Sequence, residues 1–146
     1  MKTILVLALG LAAFPAFGQE WRADTCQSAL THAYTPFSAR AGASTSGDFN
    51  GDGQADFALF LDNSALHRSA IGVCLSKEPR PLLITAPYQA VKIFTKPKGT
   101  AYTNAETGQN GAYELDAIAV SDGARRGASY ILRVGVFARV VDGAEL

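Results

Sequence analysis

An α+β fold, mainly β, with one N-terminal helix packed on a curved antiparallel sheet, is predicted by three observations. A single amphipathic segment precedes Pro36. Beyond Ala55 the chain breaks into short runs rich in β-branched and aromatic residues. Clusters of Gly, Asn, Asp and Pro separate those runs.

The helix is expected to begin at Asp24-Thr25-Cys26-Gln27, with Asp24 as cap and Gln27 reaching back in capping-box fashion. Cys26, Leu30, Ala33, Tyr34 and Phe37 recur at helical spacing and make one apolar stripe, which should lie on the sheet. Pro36 stops the helix at about Tyr34. Residues 38–47, rich in Ala, Ser and Gly, read as a connector.

Strands are expected over Ala55 to Leu61, Ser69 to Leu75, Pro81 to Thr85, Ala90 to Thr95, Tyr113 to Val120, Ser129 to Val134 and Val136 to Val141. The intervening Asp62-Asn63-Ser64, Lys96-Pro97-Lys98-Gly99, Gly108-Gln109-Asn110-Gly111 and Asp122-Gly123 supply residues that tolerate positive φ or fix a bend.

Between connector and first strand lies Gly47-Asp48-Phe49-Asn50-Gly51-Asp52-Gly53-Gln54-Ala55-Asp56. Ca²⁺ takes six to eight oxygens, and a loop wraps one by alternating ligand side chains with residues that turn away. Asp48, Asn50, Asp52 and Asp56 fit that alternation, Gly53 sits at the sharp turn, and Gln54 stands where such loops offer a main-chain carbonyl. These five residues, Asp48, Asn50, Asp52, Gln54 and Asp56, are the expected ligands of a Ca²⁺ ion. The bidentate Glu of an EF-hand is replaced by Leu59, and the apolar run that follows Asp56 suits a strand rather than an exiting helix. Because four side-chain ligands are already consumed, the ion is expected to be structural.

The pattern Asp-Phe-Asn-Gly-Asp-Gly-x-x-Asp followed by an apolar strand resembles the Ca²⁺ loops of FG-GAP and VCBS-type repeats over residues 47–62. Those families build propellers from several copies, whereas this sequence contains one. More broadly, the chain resembles small exported bacterial proteins that pair a short helix with one such segment and end in strands like residues 129–141. That resemblance implies a fold and no activity.

Lys2, the apolar run Ile4 to Leu11 and the small-x-small site Ala16-Phe17-Gly18 read as a cleaved signal peptide, residues 1–18. The expected domain is then residues 19–146, periplasmic or secreted, with no membrane insertion. Loss of Lys2 turns 13 basic and 13 acidic residues into 12 and 13, and such neutrality argues against a nucleic-acid partner. In an oxidising compartment Cys26 and Cys74 most simply form one bridge, the alternative being two buried thiols.

Nucleophile-elbow, zinc-protease, phosphate-loop and dinucleotide motifs are missing from the sequence. Glu106, Glu114 and Asp116 could supply a carboxylate pair, but acidic residues beside a turn or on a strand are mostly solvated, and His32 and His67 read as surface or half-buried residues rather than bases. Arg125-Arg126 with Lys96 and Lys98 could meet an acidic partner, or simply be solvated turn charges. Tyr88, Tyr102, Tyr113 and Tyr130 could line a sugar-binding or protein-binding face, but a sheet core needs most of the large side chains and is the expected place for them. The expected function is that of an exported binding protein acting on another envelope or extracellular protein, one version being an immunity or inhibitor protein against a cell-wall-degrading enzyme. The competing expectations are a small cell-wall or carbohydrate hydrolase using Glu114 and Asp116, and an accessory domain without its own partner.

Overall fold

The computed structural model describes residues 20–86, 90–124 and 126–143. The expected signal segment, Tyr88 and Arg125 lie outside the described residues, as does the side chain of Arg126. In chain order the elements are α1 (Ala23–Ala33), β1 (Ser38–Gly47), β2 (Asp56–Asn63), β3 (Arg68–Cys74), β4 (Leu82–Thr85), β5 (Lys92–Lys96), β6 (Ala101–Thr103), β7 (Asn110–Ala112), β8 (Ala117–Ser121), β9 (Arg126–Arg133) and β10 (Val136–Gly143).

The α+β, mainly-β class and the helix on a sheet are as expected, but the antiparallel strands are divided into two four-stranded sheets, β1-β2-β3-β4 and β10-β9-β8-β5. The two meet along β1 and β5. There the Thr95 hydroxyl donates to the Ser46 carbonyl (2.8 Å), which leaves Thr45 as donor in the 2.7 Å contact between the Thr45 and Thr95 hydroxyls. The inner faces close on one core containing Phe49, Ala58, Phe60, Ile71 and Val73 from the first half and Ile118, Val120, Ala128 and Tyr130 from the second.

Strand β2 carries an uninterrupted apolar run because both of its faces are covered. Ala58 and Phe60 point into the core between the sheets, whereas Leu59 and Leu61 pack with Cys26 and Leu30 of α1. Across from them β3 presents Ala70, Gly72 and Cys74, in register with Leu61, Leu59 and Phe57. Gly72 lets the helix approach: a Cβ there would lie 2.6 Å from both methyls of Leu30. The Cys26–Cys74 disulfide closes this layer, with the two Cα atoms 5.9 Å apart. On the opposite outer face, Tyr102 and Tyr113 pack over Ala117, Ile131 and Val140.

Several local expectations are corrected. The helix is capped at Arg22, whose main-chain N–H donates to Thr25 Oγ1 (3.0 Å), so Asp24 lies inside the first turn and is not the cap. The buried Trp21 sets this entry point by donating its indole N–H to the carbonyls of Leu75 (2.9 Å) and Glu78 (3.1 Å). Ala33, expected on the buried stripe, is exposed.

Residues 38–47 are a strand, not a connector. They pair with β2 from Gly47↔Asp56 to Ser44↔Leu59, shift register, and resume at Ala39↔Leu61. Gly42, at φ +68°, lies within the shift. Main-chain pairing holds this strand, so its small residues give no β-rich signal. The β6–β7 hairpin was likewise missing from the expected strands, and the strand expected from Tyr113 starts only at Ala117.

Candidate metal loop

The segment 48–56 joins β1 to β2, and its side chains turn inward onto its own backbone. Asp48 Oδ1 accepts the Asp52 N–H (2.9 Å) and Oδ2 accepts the Gly53 N–H (2.9 Å). The Asn50 side-chain oxygen accepts the same Asp52 N–H (3.1 Å), bringing an Asp48 oxygen and the Asn50 oxygen to one point. Gly51 and Gly53 have φ near +78° and +79°, the left-handed conformation that lets the chain double back at both positions. Gln54 is exposed, and its N–H donates to Asp52 Oδ1 (2.9 Å).

Asp56 holds a different position from the other expected ligands. It is fully buried at the start of β2, with Oδ2 accepting the N–H groups of Phe49 (2.8 Å) and Asn50 (3.1 Å) and Oδ1 accepting that of Ser76 (2.6 Å). Burial pushes its carboxyl above the ordinary range, against the pull of these bonds.

Ser76, just past β3, joins the loop although nothing in the sequence marks it. Its hydroxyl donates to Asp52 Oδ2 (2.8 Å), while the Asn50 amide donates to its carbonyl and its hydroxyl (both 3.1 Å). The neighbouring Lys77 ammonium lies 3.1 Å from Asp52 Oδ2. Burial raises the Asp52 carboxyl, but bonds from Gln54, Ser76 and Lys77 outweigh it and hold the group below the usual range. No sequence spacing links Ser76 or Lys77 to residues 48–56; only the β2–β3 register brings them together.

Asp48, Asn50 and Asp52 carry oxygens of the type a hard cation takes, and each of those oxygens accepts a hydrogen bond from the chain. Among the described residues no three Asp, Glu, His or Cys side chains form a metal-holding group. An ion held here would therefore draw on the Asn50 amide and on main-chain carbonyls as well as carboxylates. Ca²⁺ bound there would supply positive charge that balances the loop carboxylates.

The catalytic candidates are dispersed. Asp116 accepts the main-chain N–H of Asp48 on Oδ2 (3.0 Å) and of Lys98 on Oδ1 (2.9 Å), tying the metal-type loop to the turn after β5. Glu106 pairs with Arg139 (2.9 Å), while Glu114, His32 and His67 are exposed. A cleft of about 510 Å³ opens beside Phe37, His67, Arg68, Ala70, Leu83 and Thr85, and among the described residues no carboxylate lines it.

Of the basic candidates, Lys96 lies 5.9 Å from the centre of the Tyr113 ring, and Lys98 is exposed. Tyr113 and Tyr130 are buried, and Tyr102 packs on Tyr113 with ring centres 4.9 Å apart. Among the described residues no helix is long and apolar enough to cross a membrane. No family model, curated protein or solved structure matches this chain.

Proposed function

We propose that this is an exported binding protein, acting by contact on another envelope or extracellular protein, with a structural Ca²⁺ ion in the Asp48–Asp56 loop. What supports contact over a hydrolase built on Glu114 and Asp116 is the position of Asp116. A hydrolase built on Glu114 and Asp116 needs both carboxylates directed at substrate, yet both Asp116 oxygens accept main-chain N–H groups from two loops. The metal-type loop is likewise a brace. Through Asp116 it is tied to the turn after β5, and through Asp56 and Asn50 to Ser76.

One concrete version is an immunity or inhibitor protein against a cell-wall-degrading enzyme, which needs a rigid exported domain and no chemistry of its own. The test adds the purified mature domain, with Ca²⁺, to a muramidase and its peptidoglycan substrate. Slower clearing, with no clearing by the domain alone, is the expected result for this version. For the broader reading, a cross-linked complex with one defined envelope protein is expected. Release of reducing ends by the domain itself would replace the binding reading with the hydrolase.

A further inference from the structure

The first sheet ends at β4, and the ladder register decides which of its main-chain groups face outward. The Ala86 N–H donates to the Ser69 carbonyl (3.3 Å), one step beyond the Ala70↔Thr85 pair. Bonded and non-bonded pairs alternate in an antiparallel ladder, so Leu82 and Ile84 turn their main-chain groups to β3, whereas Leu83 and Thr85 turn theirs to the open edge. Among the described residues nothing pairs with that edge. Edges are commonly blunted by charge, yet Leu82, Leu83, Ile84 and Thr85 carry none.

The cleft of about 510 Å³ lies beside the same edge, where Leu83 and Thr85 line it together with Phe37, Ala70 and Arg68. A second cleft, of about 320 Å³, shares His67, Arg68 and Ser69 with it. Asp62 lines this second cleft, but its carboxylate is engaged by Arg40 and Ser69. Arg68 is exposed and has no ion pair among the described residues. Unpaired main-chain donors and acceptors, an apolar recess and an uncompensated cation thus meet at one sheet edge.

We propose that the β4 edge and its cleft receive an extended, acidic segment of the partner protein, which adds a strand to the first sheet and sets a carboxylate against Arg68. This rests on the contact reading and names where the partner docks. The N–H and C=O groups of Leu83 and Thr85 suit any extended chain, while the cleft and Arg68 select its side chains. A second copy of this chain would bring its own uncharged β4 and leave Arg68 unanswered.

The experiment titrates two labelled probe peptides, Thr-Val-Glu-Val-Glu-Val-Thr and Thr-Val-Lys-Val-Lys-Val-Thr, with the mature protein and reads fluorescence anisotropy. The acidic probe should bind about three- to tenfold more tightly than the basic one, the scale of attraction exchanged for repulsion at one exposed site. Arg68→Glu should reverse that preference, whereas Arg133→Glu, the same charge reversal on the β9–β10 hairpin, should keep it. Thr85→Pro removes an N–H that the β3 ladder does not use and should weaken the acidic probe about tenfold. The acidic probe N-methylated along its backbone tests the same bonds against wild type, and should lose binding whether or not Thr85→Pro folds. Equal binding of the two probes, or none at up to about 2 mM, would overturn the proposal. Dimerisation of the protein alone, abolished by Thr85→Pro, would also overturn it by assigning the edge to a second copy. A cross-linked envelope partner lost in both Arg68→Glu and folded Thr85→Pro would support the site. The same partner retained in full by both would overturn the site and leave the contact reading standing.

Discussion

The Ser76 main-chain N–H donates to Oδ1 of Asp56 across 2.6 Å, joining the segment after β3 to the first residue of β2 inside the protein. The other oxygen of Asp56 receives Phe49 and Asn50. One buried carboxylate therefore organises two loops, and its removal leaves three N–H groups without their acceptor. Asp56→Ala should lower unfolding free energy by roughly 3 kcal/mol or more, since each orphaned buried donor costs about 1–3 kcal/mol. Urea unfolding measures this. A loss under about 1 kcal/mol would show that water replaces the carboxylate without penalty.

The disulfide ties α1 to the end of β3 across a sequence separation of 48 residues. In the chain-entropy treatment, closing a loop of that length contributes about 4 kcal/mol. Cys26→Ala with Cys74→Ala should lower stability by about that much, less whatever structure persists in the unfolded chain. Two alkylatable thiols in protein isolated without reductant would refute the bridge.

Gly72 and Leu30 offer a packing test. A Cβ at residue 72 meets the ends of a buried Leu side chain that has little room to retreat. Gly72→Ala should therefore cost about 1–3 kcal/mol, and Leu30→Ala about 2–5 kcal/mol. Combined, they should cost clearly less than their sum, because truncating Leu30 clears the space that the new methyl requires. Strict additivity would show that the strain is relieved elsewhere.

The parts legible from sequence are those where side chains make the structure. The β2 run, the helix stripe at Cys26 and Leu30, and the tight turn at Gly53 all have characteristic residue types. What escaped is held by main chain. Apart from Arg40, strand β1 is built from Ala, Ser, Thr and Gly on the hydrogen bonds of β2, and the β6–β7 hairpin has three residues a side. The partners of the metal-type loop were hidden for a related reason. Ser76 reaches Asn50, Asp52 and Asp56, and Asp116 reaches Asp48, only through strand register. Asp116 looked like one half of an acid pair because a strut and a catalytic acid are the same residue in sequence.

Arg40 and Asp62 give a pH signature. The Arg40 guanidinium donates through Nε to Asp62 Oδ2 (2.7 Å) and through Nη1 to the Ala90 carbonyl (2.7 Å), while Ser69 donates to Asp62 Oδ1 (2.7 Å). The Arg40 bond, opposed by burial and aided by Ser69 and the Arg40 charge, holds the Asp62 carboxyl below its ordinary value. A carboxyl depressed in the folded state contributes stability that is present above its unfolded pKa, about 3.9, and is lost as pH falls through the folded value. Because the pair is partly open to solvent, the stability difference between wild type and Asp62→Asn should be no more than about 1 kcal/mol near neutrality and shrink below about pH 4. Asp56, shifted the opposite way, is common to both proteins and cancels in that difference. A difference that is constant down to about pH 2 would remove the ion pair as its source.

For the loop itself, Ca²⁺ should raise the melting temperature, and Asp48→Ala or Asp52→Ala should abolish the response. Without a bidentate Glu the dissociation constant should be on the order of 10⁻⁵ to 10⁻³ M, as in extracellular modules. An unchanged melting curve between excess chelator and millimolar Ca²⁺, in protein shown to begin metal-free, would eliminate the ion.

Contact and catalysis are separated by Glu114 rather than by Asp116. Asp116→Ala removes the acceptor of the Asp48 and Lys98 N–H groups, so it should destabilise the fold by about 1–3 kcal/mol and disturb any function indirectly. Glu114 is exposed, and Glu114→Gln should leave stability within about 0.5 kcal/mol. If the protein acts by contact, Glu114→Gln, His32→Ala and His67→Ala keep full effect on the partner. Lys98→Glu should slow association if that turn meets an acidic surface. A cell-wall substrate turned over by wild type and not by a folded Glu114→Gln variant would move the chemistry onto this protein. Turnover lost only in Asp116→Ala would trace to the brace between the loops, because the group that disappears there is an acceptor for main chain.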